Sequence, residues 1–147
     1  MKTASLILAA LLLGIGAFGL FGMSRSNDAY QETFTNSMPS AVNIGNAELY
    51  AARERLALDR AAFMIGTPES APTLERARSM RTTSDMWWKK YMDLPRDADE
   101  DRLARDVVSK RDALHQRADA FAAVVAASDQ SNLIDGAKLL QSAYNEL

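Results

Sequence analysis

The pattern of hydrophobic and polar positions changes once along the chain, near residue 24. Residues 5–22 read SLILAALLLGIGAFGLFG and contain no charge. As a helix this run would be about 27 Å long, close to the roughly 30 Å hydrocarbon core of a bilayer. We therefore predict a transmembrane anchor over residues 1–24, with residues 5–22 in contact with membrane lipid.

The charges that flank the apolar run predict which side of the membrane receives the rest of the chain. Lys2 precedes the run, and Arg25 is followed by Asp28 and Glu32. Because basic flanks favour the cytoplasm, we expect an anchor in a bacterial inner membrane and residues 25–147 in the periplasm. A cleaved signal peptide is the alternative, although no clear small-residue cleavage site follows the run. Both interpretations deliver the same residues to the periplasm.

Beyond the anchor, apolar residues recur at helical spacing in four stretches. The predicted helices cover about residues 33–65, 72–93, 99–127 and 133–147. Glycine and proline at Gly66-Thr67-Pro68 and Leu94-Pro95 end the first two helices, since both residues interrupt helical geometry. We predict an all-α fold, in which the N-terminal transmembrane helix is followed by an up-down-up-down four-helix bundle over residues 25–147.

The predicted helices differ in length. The first is about 45 Å long, whereas the fourth has only about 15 residues before Leu147. An antiparallel partner that returns to the membrane should be longer. The fourth helix is therefore expected to be truncated in this sequence.

The first bundle helix carries a heptad pattern. Val42, Leu49, Leu56 and Phe63 follow one another at seven-residue intervals, and Gly45 and Ala52 occupy the intervening positions. A heptad of this kind is typical of a helix that packs along a partner helix. We call Val42, Leu49, Leu56 and Phe63 the seam.

Composition and charge exclude several classes of function. With 17 basic and 19 acidic residues the formal charge is −2, which argues against a nucleic-acid partner. There is no cysteine, so disulfide scaffolds and thiol catalysis are excluded. His115 is the single histidine, which gives little support to a metal site or a catalytic triad. We expect no enzyme activity, no metal and no cofactor.

Two short segments resemble a known family. Residues 55–62 read RLALDRAA. They are similar to the arginine-bearing part of the first helix in the periplasmic sensor module of methyl-accepting chemotaxis receptors, of the aspartate and serine receptor type. Residues 88–96 carry the pattern W-x-x-Y-x-x-L-P-R, which is similar to the turn between the second and third helices of that module. The layout of anchor, long helix and bundle is also similar over nearly the whole chain.

The resemblance implies a chemoreceptor sensor domain that forms a homodimer and signals across the membrane to direct chemotaxis. It implies that a small anionic metabolite, such as an amino acid, a dicarboxylate or an aromatic acid, binds at the dimer interface. It also implies a second membrane span and a cytoplasmic signalling region. We expect these beyond Leu147, and cytoplasmic signalling partners only there.

The same resemblance nominates the ligand-binding residues. Arg55 and Arg60 match two of the three arginines of the family pattern. Met64 stands at the position of the third, and Asp59 at a position that is usually small and polar. The candidate ligand-binding residues are therefore Arg55, Asp59, Arg60 and Met64.

Helix geometry constrains how these arginines meet a ligand. Arg55 and Arg60 point about 140° apart around the helix, so one helix cannot easily aim both at a small anion. Two copies of the helix side by side could each supply one guanidinium, which binds carboxylates bidentately and stays charged. The alternative is an ordinary surface pair between Arg55 and Asp59, which are four residues apart.

Two further functions stay open at this point. The same module could drive a histidine kinase or a nucleotide cyclase, since sensor modules are joined to many outputs. The chain could also be a self-contained, membrane-tethered periplasmic bundle with a structural or stress role. An open frame after Leu147 that continues into a second apolar span would favour a receptor, and a stop codon there would favour the self-contained bundle.

Overall fold

The computed structural model describes the backbone of residues 2–147 and the side chains of residues 11–147. The described residues form helices and no strand, which confirms the all-α prediction for them. The elements are α1 (Lys2–Glu32), a π-helical turn (Thr33–Ser37), α2 (Met38–Phe63), α3 (Ser70–Met92), α4 (Ala98–Ala126) and α5 (Leu133–Glu146). The chain divides into two compact units, Met1–Ala41 and Val42–Leu147.

The first unit contains α1 and the residues of the predicted anchor. Large apolar side chains of its described part are exposed, among them Leu13, Phe18 and Leu20. Among the described residues, no helix combines the length and the apolar character needed to cross a membrane. The side chains of residues 1–10, which include the flanking Lys2, lie outside the described part. The anchor over residues 1–24 therefore stays a prediction.

In the second unit, hydrogen bonds between helices establish that α2 and α3 are antiparallel. Ser70 Oγ, at the start of α3, donates to the carbonyl of Ala61 near the end of α2, at 3.2 Å. Ser84 Oγ, further along α3, donates to the carbonyl of Ala47 at 2.7 Å. Later positions of one helix thus meet earlier positions of the other, as expected for neighbours joined by a short turn.

The remaining helices continue the same alternation. Tyr91 Oη of α3 donates to Glu100 near the start of α4 at 3.0 Å. Further along α4, Asp119 accepts from Arg81, which lies earlier on α3, so the two helices are antiparallel. After a short turn α5 packs on α4, where Gly136 lies so close to the Phe121 ring that an added Cβ would be 3.2 Å from it. Tyr144 Oη donates to the carbonyl of Ala51 at 3.2 Å and connects α5 to α2. Residues 42–147 therefore form the predicted four-helix bundle.

The core of the bundle consists mainly of alanine with a few large side chains. Its largest members, Leu58, Leu114, Phe121 and Leu140, are at most 2 % exposed. The alanines let the helices approach one another closely. The other core residues are Ala57, Ala61, Leu74, Ala77, Ala118, Ala122, Val125 and Ala143.

On α4 the buried face does not include every large apolar residue. Leu103 is 56 % exposed, whereas its neighbour Ala104 is 2 % exposed. Ala104, Arg111, Ala118 and Val125 are all buried and lie seven residues apart. Two alanines and an arginine belong to this repeat, so the spacing of large apolar residues does not reveal it.

The two predicted helix ends have clear structural causes. Gly66 adopts φ +79°, a left-handed conformation that glycine tolerates best. Arg96 Nη1 donates to the carbonyls of Tyr91 and Leu94, both at 3.0 Å. This guanidinium satisfies carbonyls at the end of α3 that the helix itself leaves unpaired. In this chain, residues 88–92 thus complete α3, and residues 93–96 form the turn that Arg96 caps.

Candidate functional site

The seam lies on the surface of the isolated chain. Val42, Leu49, Leu56 and Phe63 are 52 %, 45 %, 69 % and 89 % exposed. The same helix buries another set of residues against the bundle, spaced alternately by four and three: Ala47, Ala51, Glu54, Leu58 and Ala61. α2 thus has two apolar faces, of which the bundle uses only one. The seam offers an apolar surface that a partner helix would cover.

Arg55 lies beside the seam and faces α5. Its Nε donates to both carboxylate oxygens of Asp59, at 3.0 and 2.9 Å. Its guanidinium lies 5.4 Å from the centroid of the Tyr144 ring. Its Nη1 is buried without a hydrogen-bond partner among the described residues. A buried donor without a hydrogen-bond partner is costly to the folded chain.

Arg60 and Met64 lie on another side of α2, where they border a groove between α2 and α3. The groove has a volume of about 720 Å³, within the range typical of small-molecule sites. Arg53 and Arg76 line it together with Arg60. We call it the α2–α3 groove.

The charges of this groove are unbalanced. Glu69 is the one acidic residue among the residues that line it, against three arginines. Over the described side chains, no carboxylate lies within ion-pair distance of Arg53, Arg60 or Arg76. The groove is therefore locally positive in a chain whose formal charge is −2.

The structure separates the two predicted arginines within one chain. Arg55 and Asp59 form the pair that four-residue spacing allows, and they lie toward α5. Arg60 and Met64 line the α2–α3 groove. The separation of Arg55 and Arg60 matches the wide angle between them that helix geometry requires. That both bind one ligand stays a prediction, and it requires a second copy of the chain.

The sequence analysis did not nominate Arg53 or Arg76, which both line the groove. The spacing of Arg53 and Arg60 was visible, since seven residues place two side chains on one helix face. Arg76 belongs to the next helix, and only the antiparallel register of α2 and α3 brings it to the same groove. That register was not available from the spacing of apolar residues.

A buried ionic network lies behind the candidate site. The Glu54 carboxylate is 2 % exposed and accepts hydrogen bonds from Arg81, with Nε and Nη2 both at 2.7 Å. Arg81 Nη1 also donates to Asp119 of α4 at 2.6 Å. Burial raises the pKa of Glu54, while the adjacent Arg81 charge acts in the opposite direction. The network ties α2, α3 and α4 together one residue away from Arg55.

A second polar cluster continues this network along α3 and α4. Arg111 Nη2 donates to Ser84 Oγ at 3.0 Å and to Asp85 at 2.7 Å. His115 Nε2 lies 3.5 Å from the same Asp85 carboxylate. Burial lowers the pKa of His115, and Asp85 opposes that shift. The His115 side chain is 25 % exposed.

Comparison with known proteins identifies the family. The family model described as "Tar ligand binding domain homologue" matches residues 3–147. No curated protein and no solved structure gives a significant match to the chain. The matched family comprises ligand-binding sensor domains of membrane receptors and is not a family of enzymes. The chain therefore belongs to the Tar ligand-binding domain homologues, the periplasmic four-helix-bundle sensors of chemotaxis receptors.

Proposed function

We propose that the chain is the periplasmic sensor domain of a transmembrane chemoreceptor that dimerises through the seam and binds a small anionic metabolite beside it. Residues 1–24 anchor it in the bacterial inner membrane. The observation that carries the proposal is the second apolar face of α2. Val42, Leu49, Leu56 and Phe63 keep a strict heptad on a helix that has already supplied the bundle with a different buried face.

The ligand is held by arginines from both copies of α2. Arg55 and Arg60 flank the seam at the positions of a heptad that face a partner helix. In a pair of α2 helices, Arg55 of one copy and Arg60 of the other approach the same anion, with Asp59 and Met64 at its border. The buried and unpartnered Nη1 of Arg55 supports this role, because a carboxylate oxygen would satisfy it.

The signal passes to α5, which contacts α2 through Tyr144. A ligand that binds Arg55 competes with Asp59 and changes the contact between the Arg55 guanidinium and the Tyr144 ring. Displacements of an ångström or two at helix interfaces are a known mode of switching. The ligand shifts this equilibrium only by the difference in its affinity for the two positions of α5.

Calorimetry on the purified chain tests the site. Amino acids, dicarboxylates and aromatic acids are first screened for a rise in the unfolding temperature, and the strongest stabiliser is then titrated. The Arg60→Ala variant is expected to lose binding while it keeps its circular dichroism spectrum and its unfolding temperature without ligand. Arg117→Ala, an exposed arginine of α4, is the matched control. An unchanged affinity in Arg60→Ala would remove Arg60 from the site.

A further inference from the structure

The α2–α3 groove is a built concavity that the proposed seam site does not explain. Of the residues that line it, Leu56 belongs to the seam, and Arg60 and Met64 belong to the proposed seam site. Arg53 and the whole wall contributed by α3 do not. Arg53, Arg60 and Arg76 belong to the same chain, so their three charges meet without a second copy.

We propose that this groove is a second anion-binding site, and that it takes a dianionic carboxylate with an apolar carbon skeleton. Arg53, Arg60 and Arg76 contribute three positive charges and Glu69 one negative charge. The excess of two positive charges has no counterpart within ion-pair distance on the described protein. A dianion would neutralise it, whereas a zwitterionic ligand would leave the excess unchanged.

The placement of the arginines fits a ligand with two separated carboxylates. Arg53 and Arg60 lie about 10 Å apart along the axis of α2, since seven residues rise by that amount. Arg76 faces them from α3 across the groove. Guanidinium groups are preferred partners of carboxylates because their paired donors match both oxygens.

The neighbouring carboxylates do not compete for these arginines. Asp59, the acidic residue next to Arg60 in sequence, is held by Arg55. Glu75, next to Arg76, forms an ion pair with Arg78. The arginines of the groove are therefore left for an external anion.

The rest of the groove suits the carbon skeleton and adds to the positive potential. Leu56, Met64 and Met80 form apolar parts of its wall. Pro72 and Thr73 line it from the first turn of α3, where the partial positive charge of a helix N-terminus favours anions.

Calorimetric titration with succinate, glutarate and phthalate, and with butyrate and benzoate as monoanionic counterparts, tests the proposal. We expect a dianion to bind the unmodified chain, and to bind at least about tenfold more tightly than its monoanionic counterpart. Arg76→Gln should weaken the dianion at least about tenfold, a loss of about 1.4 kcal/mol. Arg78→Gln, two residues away and outside the groove, should leave the affinity unchanged. Absence of dianion binding, or equal affinities in the two variants, would overturn the proposal.

A seam variant separates this site from the proposed function. Leu49→Glu places a charge on the exposed seam and leaves the groove residues intact. Dianion binding that depends on Arg76 should persist in this variant at one ligand per chain, whether or not the chains pair. Loss of that binding in Leu49→Glu would assign the ligand to the paired helices and overturn a groove complete in one chain. The two proposals can fail separately. If the groove proposal fails, Arg60→Ala still tests the seam site, provided that the ligand of the seam site binds the Arg76→Gln variant.

Discussion

The guanidinium of Arg55 lies 5.4 Å from the centre of the Tyr144 ring. A residue of the proposed ligand site therefore touches the last helix of the bundle directly. The hydroxyl of the same tyrosine donates to the carbonyl of Ala51, one turn before Arg55 on α2. Burial raises the pKa of Tyr144, so the hydroxyl keeps its proton and remains a donor. Any movement of α5 against α2 must change one of these two contacts.

Replacement of Tyr144 by phenylalanine is expected to lower the free energy of unfolding by about 1 kcal/mol. The change removes the hydrogen bond to Ala51 but keeps the ring beneath Arg55. Urea unfolding followed by circular dichroism measures the effect. Tyr50→Phe is the matched control, because in the described part of the chain its hydroxyl makes no hydrogen bond with another residue. Equal losses in the two variants would show that the hydroxyl of Tyr144 contributes nothing specific.

Replacement of Arg81 by leucine is expected to destabilise the bundle by about 3 kcal/mol, because it leaves the buried Glu54 carboxylate without its partner. The double variant Arg81→Leu with Glu54→Gln should recover part of this loss, since it no longer buries an unpaired charge. Chemical unfolding of the single and double variants gives the coupling between the two residues.

The control for the Arg81 prediction is Arg78→Leu. Arg78 pairs with Glu75 on the exposed side of α3, and both side chains are at least 60 % exposed. Exposed pairs of this kind contribute roughly 0–1 kcal/mol. A loss in Arg81→Leu no greater than in Arg78→Leu would mean that water enters and solvates Glu54.

The helices and turns of the bundle were predictable from the sequence because their signals are local. Gly66 and Pro95 mark chain reversals, and the apolar heptad of α2 is visible without knowledge of any other helix. The heptad did not reveal that the bundle buries the opposite face of α2, which reads Ala47, Ala51, Glu54 and Leu58. Two alanines and a glutamate give no clear apolar signal. The burial of Glu54 depends on its ion pair with Arg81 of α3.

The candidate site was predictable to the same extent. The spacing of Arg55 and Asp59 predicted their pair, and the angle between Arg55 and Arg60 predicted their separation within one chain. Arg76 could not be found, because its position opposite Arg60 depends on the register between two helices. That register is set by hydrogen bonds such as Ser84 to Ala47, between residues with no distinctive sequence signal.

Replacement of His115 by glutamine is expected to remove one loss of stability that sets in as the pH falls below 6.5. Burial lowers the pKa of His115 from 6.5, with Arg81 and Arg111 acting in the same direction and Asp85 and Asp112 against it. The folded chain therefore binds fewer protons at this residue than the unfolded chain between the lowered pKa and 6.5. By linkage, the contribution of His115 to stability is full above pH 6.5 and is lost as the pH falls through that window.

Unfolding free energies measured from pH 7.5 to pH 5 test the His115 prediction. Glu54 contributes with the opposite sign, because its raised pKa makes the folded state bind more protons as the pH falls. The difference between the unmodified chain and His115→Gln isolates the histidine, since Glu54 is present in both. Parallel profiles would show that His115 titrates alike in the folded and unfolded chains.

Replacement of Leu49 by glutamate is expected to separate the chains while the bundle stays folded. Leu49 is 45 % exposed in the single chain, so the substitution costs little within the bundle. In a pair of α2 helices it would place two carboxylates against each other in an apolar seam, which is strongly unfavourable. Sedimentation velocity over a range of concentrations should show dimers for the unmodified chain and monomers for the variant. Leu103→Glu, on the exposed face of α4 at 56 % exposure, controls for charge alone and should remain dimeric. Dimers that persist in Leu49→Glu, or that dissociate equally in Leu103→Glu, would place the contact between subunits elsewhere than on the seam.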